Sequence, residues 1–247
     1  MLTYNDIQTA ASNATRMGLL EGAINERLAT HDNPTVVVGG GDQVSPSSLS
    51  PVSNWTTPID SLNVIDPAAE VVGNHDLDFG FDAVTEFSAA SEFPWLVANV
   101  ERAGTDGENI PGTKDYEIVE RDGVRVGIVG LVDDAIKGKT AVDFDQQGYE
   151  VTDFVDVGSE IATELKTEEN VDVVVAAAHI GVPESKELAR NTDNIDLIVV
   201  GDDELEYPPQ ETDGTVIVEA QARGAFLGEV NLTVGEDDVG FDGGRLV

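Results

Sequence analysis

The sequence predicts an α/β fold for this chain of 247 residues. Short β-branched runs alternate with stretches whose apolar residues recur at helical spacing, a pattern typical of strands that alternate with helices. Hydrophobic residues make up 40% of the chain, which is enough for a substantial core. Because neither a repeat nor a linker marks a boundary, we expect one large domain rather than two small ones.

Each element follows from its local pattern. Buried strands are predicted at Thr35–Val38, Ala69–Val72, Trp95–Ala98, Val124–Leu131, Val171–Ala177, Ile195–Val200 and Val216–Glu219. A hairpin is predicted where Tyr116–Glu120 and Val124–Val129 flank the turn pair Asp122-Gly123. Helical spacing is found at Leu19, Leu20, Ala23, Ile24 and Leu28, and again at Val155, Ile161, Ala162 and Leu165.

Two segments lack such patterns. The Ser- and Pro-rich stretch Ser45–Pro58 predicts a long irregular loop, which in a compact domain is often functional. The end of the chain, Gly235–Val247, is rich in Gly and Asp and predicts a frayed terminus. We therefore expect a folded domain over residues 1–235 and an acidic, Gly-rich tail over 236–247.

The chain is strongly acidic. It has 13 Lys and Arg residues against 48 Asp and Glu residues, a formal net charge of −35. Such charge destabilises a compact state in dilute buffer, whereas about 1 M salt shortens the Debye length to about 3 Å. We interpret the composition as adaptation to a salt-rich interior, as in halophilic archaea. A calcium-buffering or nucleic-acid-mimicking protein is the alternative, although the acids lack calcium-loop spacing. Binding to a nucleic-acid backbone is not expected.

Several classes of protein are excluded. The chain has no cysteine, which excludes disulfides, thiolate chemistry and zinc–thiolate sites. No apolar run approaches the roughly 20 residues that a membrane-spanning helix needs, so no membrane partner is expected. The first residues lack a basic region followed by an apolar core, and we therefore expect a cytoplasmic protein.

Polar residues follow several predicted strands at the point where each strand ends. These clusters are Asn5-Asp6-Ile7-Gln8, Gly41-Asp42, Gly73-Asn74-His75-Asp76, His179 and Gly201-Asp202-Asp203-Glu204. In α/β folds the carboxyl ends of strands meet at one rim, where ligands bind. Carboxylate, amide and imidazole groups are ligands for a divalent metal ion. The pattern therefore predicts a metal site.

Each cluster also has a structural interpretation. An Asp after Gly often caps a turn, and Asn74-His75 could cap the helix after Gly80. A lone His179 beneath a buried strand could be a core histidine with satisfied hydrogen bonds. His31 lies in a turn that ends a helix, so we interpret it as a surface residue. The recurrence of polar groups at successive strand ends favours the metal site.

Together these residues resemble the calcineurin-like metallophosphoesterases, in particular the catalytic domain of the 5′-nucleotidase and 2′,3′-cyclic phosphodiesterase family. The most specific match is Gly73-Asn74-His75-Asp76-Leu77-Asp78-Phe79-Gly80. Further matches, in the family's order, are Asn5-Asp6-Ile7, Gly41-Asp42, residues 93–100, residues 122–131, residues 172–181 and residues 224–234. The resemblance covers nearly the whole chain.

The resemblance implies a four-layer α/β/β/α sandwich of two mixed sheets with two metal ions at the strand ends. By this resemblance, Asp6 binds the first metal and Asp42 bridges both, while Asn74 and His179 bind the second. It also implies that His75, oriented by Asp78, is the catalytic histidine beside the leaving-group oxygen.

Three positions depart from the family pattern. Gln8 stands where the family has the histidine of Asp-x-His, and Asp202 and Glu204 stand where it has the two histidines of Gly-His-x-His. These residues remain candidate ligands, but the added carboxylates make the site less positive and so weaken its pull on phosphate. They also shift metal preference from Zn²⁺ toward Mn²⁺, and we expect one or two Mn²⁺ ions, with Mg²⁺, Zn²⁺ or Ca²⁺ as alternatives. The family's C-terminal domain, which contacts the nucleobase, has no counterpart in this sequence.

The implied function is hydrolysis of a phosphomonoester or cyclic nucleotide by in-line attack of a metal-bound hydroxide, weakened by the loss of the three histidines. Small phosphorylated compounds are thus the expected substrates. Two alternatives stay open. One is a pseudoenzyme of the same fold that binds a phosphate ligand or a protein partner. The other is half of a split enzyme whose substrate domain is a separate polypeptide.

Overall fold

Two mixed β-sheets lie face to face, and helices cover their outer surfaces. This arrangement is seen in a computed structural model, which describes residues 1–105, 107–235 and 238–247. It is the four-layer α/β/β/α sandwich that the sequence predicts. No helix in the described ranges is long and apolar enough to cross a membrane.

The secondary structure alternates as expected. The helices are α1 (Ala14–Thr30), α2 (Ser50–Ser53), α3 (Thr56–Ile65), α4 (Phe81–Ala90), α5 (Ile136–Lys139), α6 (Phe144–Gln147), α7 (Phe154–Thr167) and α8 (Gly181–Asn191), with a 3₁₀ helix at Gln8–Ser12. The strands are β1 (Leu2–Tyr4), β2 (Val37–Gly39), β3 (Ala69–Val71), β4 (Trp95–Leu96), β5 (Val100–Arg102), β6 (Thr113–Lys114), β7 (Tyr116–Arg121), β8 (Val124–Val132), β9 (Tyr149–Val151), β10 (Val173–His179), β11 (Leu197–Val200), β12 (Glu206–Thr212), β13 (Thr215–Ala220), β14 (Gly228–Val234) and β15 (Val239–Leu246).

Sheet topology brings the loops of the predicted site together. Among the described residues, the first sheet has the order β15-β14-β1-β2-β3-β4-β6 and the second has the order β12-β13-β11-β10-β8-β7. Strands β1, β2 and β3 run parallel in the first sheet, as do β8, β10, β11 and β13 in the second. Parallel strands end at the same edge, so the loops after β1, β2, β3, β10 and β11 converge there.

The buried side chains form three apolar layers. Val38 and Val71 of the first sheet pack with Ile128, Val175 and Val199 of the second, and this layer joins the two sheets. A second layer lies between the first sheet and α1, α3 and α4, and a third lies between the second sheet and α7 and α8. Because the central strands are covered on both faces, they are mostly apolar, with Glu70 of β3 and Glu219 of β13 as buried exceptions.

The two long helices begin at side-chain caps. The Asn13 side chain accepts hydrogen bonds from the backbone N–H groups of Thr15 and Arg16 at the start of α1. The Asp153 side chain does the same for α7. Each cap satisfies N–H groups that have no partner within the helix. α1 ends at His31, which confirms the predicted helix-ending turn.

Most of the predicted elements are present with small differences in their bounds. The hairpin at Asp122-Gly123 is confirmed, with Arg121 paired to Val124 in the antiparallel register. The prediction of an irregular loop over Ser45–Pro58 is wrong in part, since α2 and the start of α3 lie within it. The predicted Asn74-His75 cap is also not seen, because Gly80 precedes α4 without a side-chain cap.

The prediction of a frayed terminus is wrong for residues 239–246. Strand β15 pairs with β14 along the edge of the first sheet. Val239, Phe241 and Leu246 pack against the layer between the sheets, and the alternation of Val239 and Phe241 is the strand signal that the Gly and Asp content obscures. The part of the predicted tail at 236–237 lies outside the described residues.

Gly130 lies at a point where the backbones of the two sheets approach each other closely. A Cβ atom at this position would lie 2.5 Å from Leu96 Cβ and 2.6 Å from the Leu96 carbonyl carbon. The Gly130 carbonyl also accepts a hydrogen bond from the Ala98 N–H at 2.8 Å. Since the obstacle is largely backbone, the neighbour cannot move aside by changing rotamer.

We expect Gly130→Ala to lower the free energy of unfolding by about 1–3 kcal/mol, because the added methyl group overpacks the contact between the sheets. Urea unfolding in high salt measures this loss. Gly22→Ala is the matched control, since nothing lies within 4 Å of a Cβ there and α1 gains about 0.5–1 kcal/mol from the exchange. Equal stability of the two variants would contradict the tight contact.

Candidate metal centre

A buried cluster of three side chains lies where the strand ends converge. Asp6 follows β1, Asp42 follows β2, and His179 is the last residue of β10. Each offers one ligand atom, and these atoms all lie within 4.8 Å of one another. The three residues are 0%, 1% and 2% exposed, respectively. Two carboxylates and an imidazole in this arrangement form a donor set for one divalent cation.

The orientation of His179 is fixed by its backbone partner. Its Nδ1 lies 2.8 Å from the Gly40 carbonyl oxygen, to which it donates a hydrogen bond. Nε2 therefore faces the cluster, 3.4 Å from Asp42 Oδ1 and 3.1 Å from Asn74 Oδ1. When one ring nitrogen of a histidine donates a hydrogen bond to a carbonyl group, the ring orientation is fixed and the other nitrogen is free to bind a metal. Asn74 thus adds a fourth donor beside the cluster.

The electrostatics of this cluster favour a positive charge among its carboxylates. Burial alone would lower the pKa of His179, but the neighbouring carboxylates of Asp42, Asp6 and Asp202 raise that pKa well above its ordinary value. Burial raises the pKa of Asp6, and Asp42 raises it further. These shifts show that the carboxylates need a positive charge beside them. A proton and a divalent cation therefore compete for the same place.

Asp6 is positioned by several polar neighbours. Its Oδ2 accepts hydrogen bonds from Asn5 Nδ2 at 2.7 Å and from the Asp202 N–H at 3.2 Å. Gln8 Nε2 lies 3.4 Å from Asp6 Oδ1. The amide of Gln8 therefore serves the carboxylate as a donor, and the residue lines the cleft beside the cluster.

Asp42 depends on a second carboxylate that the sequence predictions did not single out. Asp42 Oδ1 accepts a hydrogen bond from the His75 N–H at 2.8 Å. The loop around it closes on Asp76, whose oxygens accept hydrogen bonds from the backbone N–H groups of Asp42, Gln43, Val44 and Gly73. Asp76 is buried, so it binds the loops after β2 and β3 to each other. Its position directly after His75 is the only signal that could have found it.

Several site residues have left-handed backbone conformations. Asp6, Gln8, Asp42, Asp202 and Glu204 have φ values of 50°, 47°, 58°, 95° and 55°. Non-glycine residues in this region carry strain that the surrounding structure must hold, and such residues cluster at functional sites. At Gly41, a Cβ would lie 2.7 Å from His179 Nδ1, so only glycine leaves room for the imidazole.

His75 and Asp78 form a hydrogen-bonded pair beside the cluster. His75 Nδ1 donates to Asp78 Oδ2 over 2.8 Å, and Ser45 Oγ donates to the same oxygen at 3.0 Å. Burial lowers the pKa of His75, but Asp42 and Asp78 outweigh it and leave the pKa raised. The pair therefore favours the protonated form of the imidazole.

Two of the three acids that follow β11, Asp202 and Glu204, are each paired with a basic side chain. Asp202 Oδ2 contacts Lys139 Nζ, while Asp202 Oδ1 lies 3.9 Å from His179 Nε2. Glu204 lies 3.0 Å from Arg223 Nη2. Asp202 is thus within reach of the cluster, whereas Glu204 is directed to Arg223 and lies outside the group of three donors.

One open cleft of about 290 Å³ joins these groups. It is lined by Gln8, Asp42, Asn74, His75, Lys139, Asp202 and Glu204. Asp6 and His179 lie next to the cleft because they cluster with Asp42, which lines it. Asp78 lies next to the cleft because it is hydrogen-bonded to His75, which also lines it. The structure thus brings together the residues that the sequence predicts for the site. Lys139 was missed because it belongs to no matching motif.

The fold is shared with known phosphoesterase structures, although no family model matches the sequence. The chain superposes on a 5′-nucleotidase precursor from Thermus thermophilus with a TM-score of 0.85 and 17% identity, covering 100% of this chain and 53% of that one. It superposes on the calcineurin-like phosphoesterase YfkN from Bacillus subtilis with a TM-score of 0.79 and 21% identity, covering 100% of this chain and 88% of that one.

Curated relatives carry related names. The chain is 25% identical to the trifunctional nucleotide phosphoesterase protein YfkN of Bacillus subtilis, in an alignment that covers 87% of this chain and 17% of that protein. It is 24% identical to a 5′-nucleotidase of Vibrio parahaemolyticus, in an alignment that covers 88% of this chain and 43% of that protein. The chain therefore spans less than half the length of these two relatives.

Glu219 is a buried carboxylate next to the site. It lies on β13 and is 0% exposed, and its Oε1 accepts a hydrogen bond from the Leu205 N–H at 3.1 Å. Its Oε2 has no hydrogen-bond partner. Burial raises the pKa of Glu219 to about 8, and the charges of Asp6 and Asp203 also act to raise it.

We expect Glu219 to make the protein less stable as pH rises. Its folded pKa lies above the ordinary value of 4.5, so its favourable contribution is complete below pH 4.5 and is lost as pH rises to about 8. In EDTA-treated protein at constant high salt, Glu219→Gln should remove part of the decline in unfolding free energy between pH 5 and 8.5, on the order of a few kcal/mol. Glu211→Gln, an exposed change on β12, is the control. An unchanged pH slope in Glu219→Gln would refute this expectation.

Proposed function

We propose that this chain is the catalytic unit of a divalent-metal-dependent phosphoesterase of the 5′-nucleotidase type. Its substrates would be small phosphomonoesters or cyclic nucleotides. The observation that carries the proposal is the buried donor set of Asp6, Asp42 and His179 beside the His75–Asp78 pair in one cleft. The names of the relatives support the same reaction class.

The donor set fits a hard divalent cation, and we propose Mn²⁺. Asp6, Asp42, His179 and the Asn74 oxygen would hold it, with Asp202 Oδ1 within reach. When bound, the cation supplies positive charge that polarises phosphoryl oxygens and acidifies water. Oxygen-rich sites favour Mn²⁺ or Mg²⁺ over Zn²⁺. A second ion would need Gln8 and Glu204, and the bond between Glu204 and Arg223 opposes it.

His75 would act as the general acid. Its Nδ1 is engaged by Asp78, which fixes the ring and leaves Nε2 for the substrate. The raised pKa favours the protonated imidazole, which can donate a proton to the leaving alkoxide. Asp78 is a positioning residue, and Ser45 steadies its carboxylate.

A non-catalytic phosphate-binding protein of the same fold is the second candidate. The observation that favours it is that Asp202 and Glu204 are already neutralised by Lys139 and Arg223. Such a protein would bind metal or phosphate but would show no turnover. A separate substrate domain would remain compatible with either function, and its co-purification with the chain would identify a split enzyme.

We expect Mn²⁺ to raise the unfolding temperature of EDTA-treated protein in about 1 M salt, because a ligand of the native state stabilises it by mass action. Asp42→Asn should abolish most of the rise, since it removes a charged donor with little change in shape. Asp134→Asn, at an exposed acid paired with Lys137, should retain it. Metal content by elemental analysis gives the stoichiometry. A wild-type chain that takes up no Mn²⁺, Mg²⁺, Co²⁺ or Zn²⁺ would end the metal-site proposal.

Catalysis should depend on His75. With Mn²⁺ and an aryl phosphate or a cyclic nucleotide, His75→Gln should lower kcat by roughly 10²–10⁴-fold while Mn²⁺ binding persists. His31→Gln, at the end of α1, is the matched control and should leave kcat unchanged. Stimulated turnover that survives His75→Gln would contradict the assigned role, and absence of turnover in a metal-loaded wild type would favour the non-catalytic protein.

The pH profile tests Asp78 separately. A general acid must be protonated, so kcat should fall as pH rises through the raised pKa of His75. Asp78 raises that pKa, and Asp78→Asn should therefore move the alkaline limb of the kcat profile to lower pH. A limb that stays in place in this variant would mean that Asp78 does not set the protonation of His75.

A further inference from the structure

Lys139 places a positive charge inside the cleft. It is the last residue of α5, and its Nζ contacts Asp202 Oδ2. The next acidic oxygen, Asp133 Oδ2, lies 4.0 Å away, beyond hydrogen-bond distance. The cleft that Lys139 lines also holds His75 and Asp42. An ammonium group therefore shares one opening with the general acid and the metal donors.

The Asp202 carboxylate links this ammonium group to the metal cluster. One of its oxygens contacts Lys139, and the other lies 3.9 Å from His179 Nε2. The Lys139 carbonyl oxygen also accepts a hydrogen bond from Asn74 Nδ2 at 3.3 Å. Two of the residues around the cluster thus hold the end of α5 in position.

The ammonium group retains donors for another ligand. A lysine has three N–H bonds, and within the described residues Asp202 is the only acceptor at hydrogen-bond distance from Lys139 Nζ. An anionic oxygen in the cleft would satisfy the remaining donors. A phosphate group is such a ligand, and lysine binds it as a point charge.

We propose that Lys139 binds the phosphate group of the substrate. This inference rests on the proposed function, because it places the phosphate between the metal donors and His75. Lys139 supplies positive charge in a cleft where Asp202 and Glu204 add negative charge. Asp202 positions the ammonium group, so one carboxylate serves both the metal cluster and the phosphate-binding lysine.

The test measures phosphate and metal binding separately. Calorimetric titration of the Mn²⁺-loaded chain with inorganic phosphate, at constant high salt, gives the phosphate affinity. Titration of the EDTA-treated chain with Mn²⁺ gives the metal affinity. The variants are Lys139→Gln and Lys139→Arg, with Lys137→Gln as control. Lys137 lies on the same helix with the same side-chain exposure of 38%, and it pairs with Asp134 outside the cleft.

Lys139→Gln should weaken phosphate binding by about 10-fold or more, since a charged hydrogen bond to the anion is lost. The same change should leave Mn²⁺ affinity unchanged or raise it, because a neighbouring positive charge is removed. Lys139→Arg should recover part of the phosphate affinity, and Lys137→Gln should match the wild type. A general loss of structure would weaken the binding of both ligands. It therefore cannot explain weaker phosphate binding together with an unchanged or higher Mn²⁺ affinity.

The proposal is overturned if phosphate affinity in Lys139→Gln stays within about twofold of the wild type, or if Lys137→Gln shows the same loss. Parallel loss of Mn²⁺ and phosphate affinity in Lys139→Gln, or no phosphate binding by the Mn²⁺-loaded wild type, also overturns it. The Mn²⁺ titration of the wild type separates the two proposals. A chain that binds no Mn²⁺ contradicts the proposed function and this role with it, whereas failure confined to the phosphate titration removes only the role of Lys139.

Discussion

Two carboxylates buried side by side require a positive charge, and this requirement governs the site. Asp6 and Asp42 lie within 4.8 Å of His179 with almost no contact with solvent. Leaving such charges unpaired in the interior is costly, so the structure surrounds them with donors. The imidazole, the Asn5 amide and several backbone N–H groups all serve this purpose. A bound cation would balance the negative charge that these groups leave uncompensated.

The backbone around the cluster is held with little freedom. Asp76 gathers four N–H groups from two loops, and left-handed residues turn the chain sharply at Asp6, Asp42 and Asp202. Such turns persist only when surrounding contacts fix them. The rigid β-strands before these loops supply those contacts. The site is therefore preorganised, in the sense that its donors already face one another.

The sequence allowed much of this to be predicted, because strand-ending polar residues are visible without coordinates. The Gly73–Gly80 motif located His75 and Asp78, and the apolar runs located the parallel strands. Lys139 could not be predicted, since it reaches Asp202 across 63 positions and belongs to no motif. Strand β15 was missed because glycine and aspartate dominate its composition, although its apolar residues alternate. The contact between Lys139 and Asp202 and the pairing of β15 with β14 both depend on residues that are distant in sequence or on the assembled sheet. Local sequence patterns therefore do not reveal them.

The cluster unites distant parts of the chain. The bond between the Asp202 N–H and Asp6 spans 196 positions, and the bond between His179 and the Gly40 carbonyl spans 139. Closing such long loops costs entropy that only the completed sheets can offset. During synthesis, a ribosome-bound chain therefore cannot assemble the cluster until His179, at the end of β10, has emerged. Uptake of the proposed cation would thus require that the strands from β1 to β10 have come together, and a chain that ends before His179 lacks the cluster.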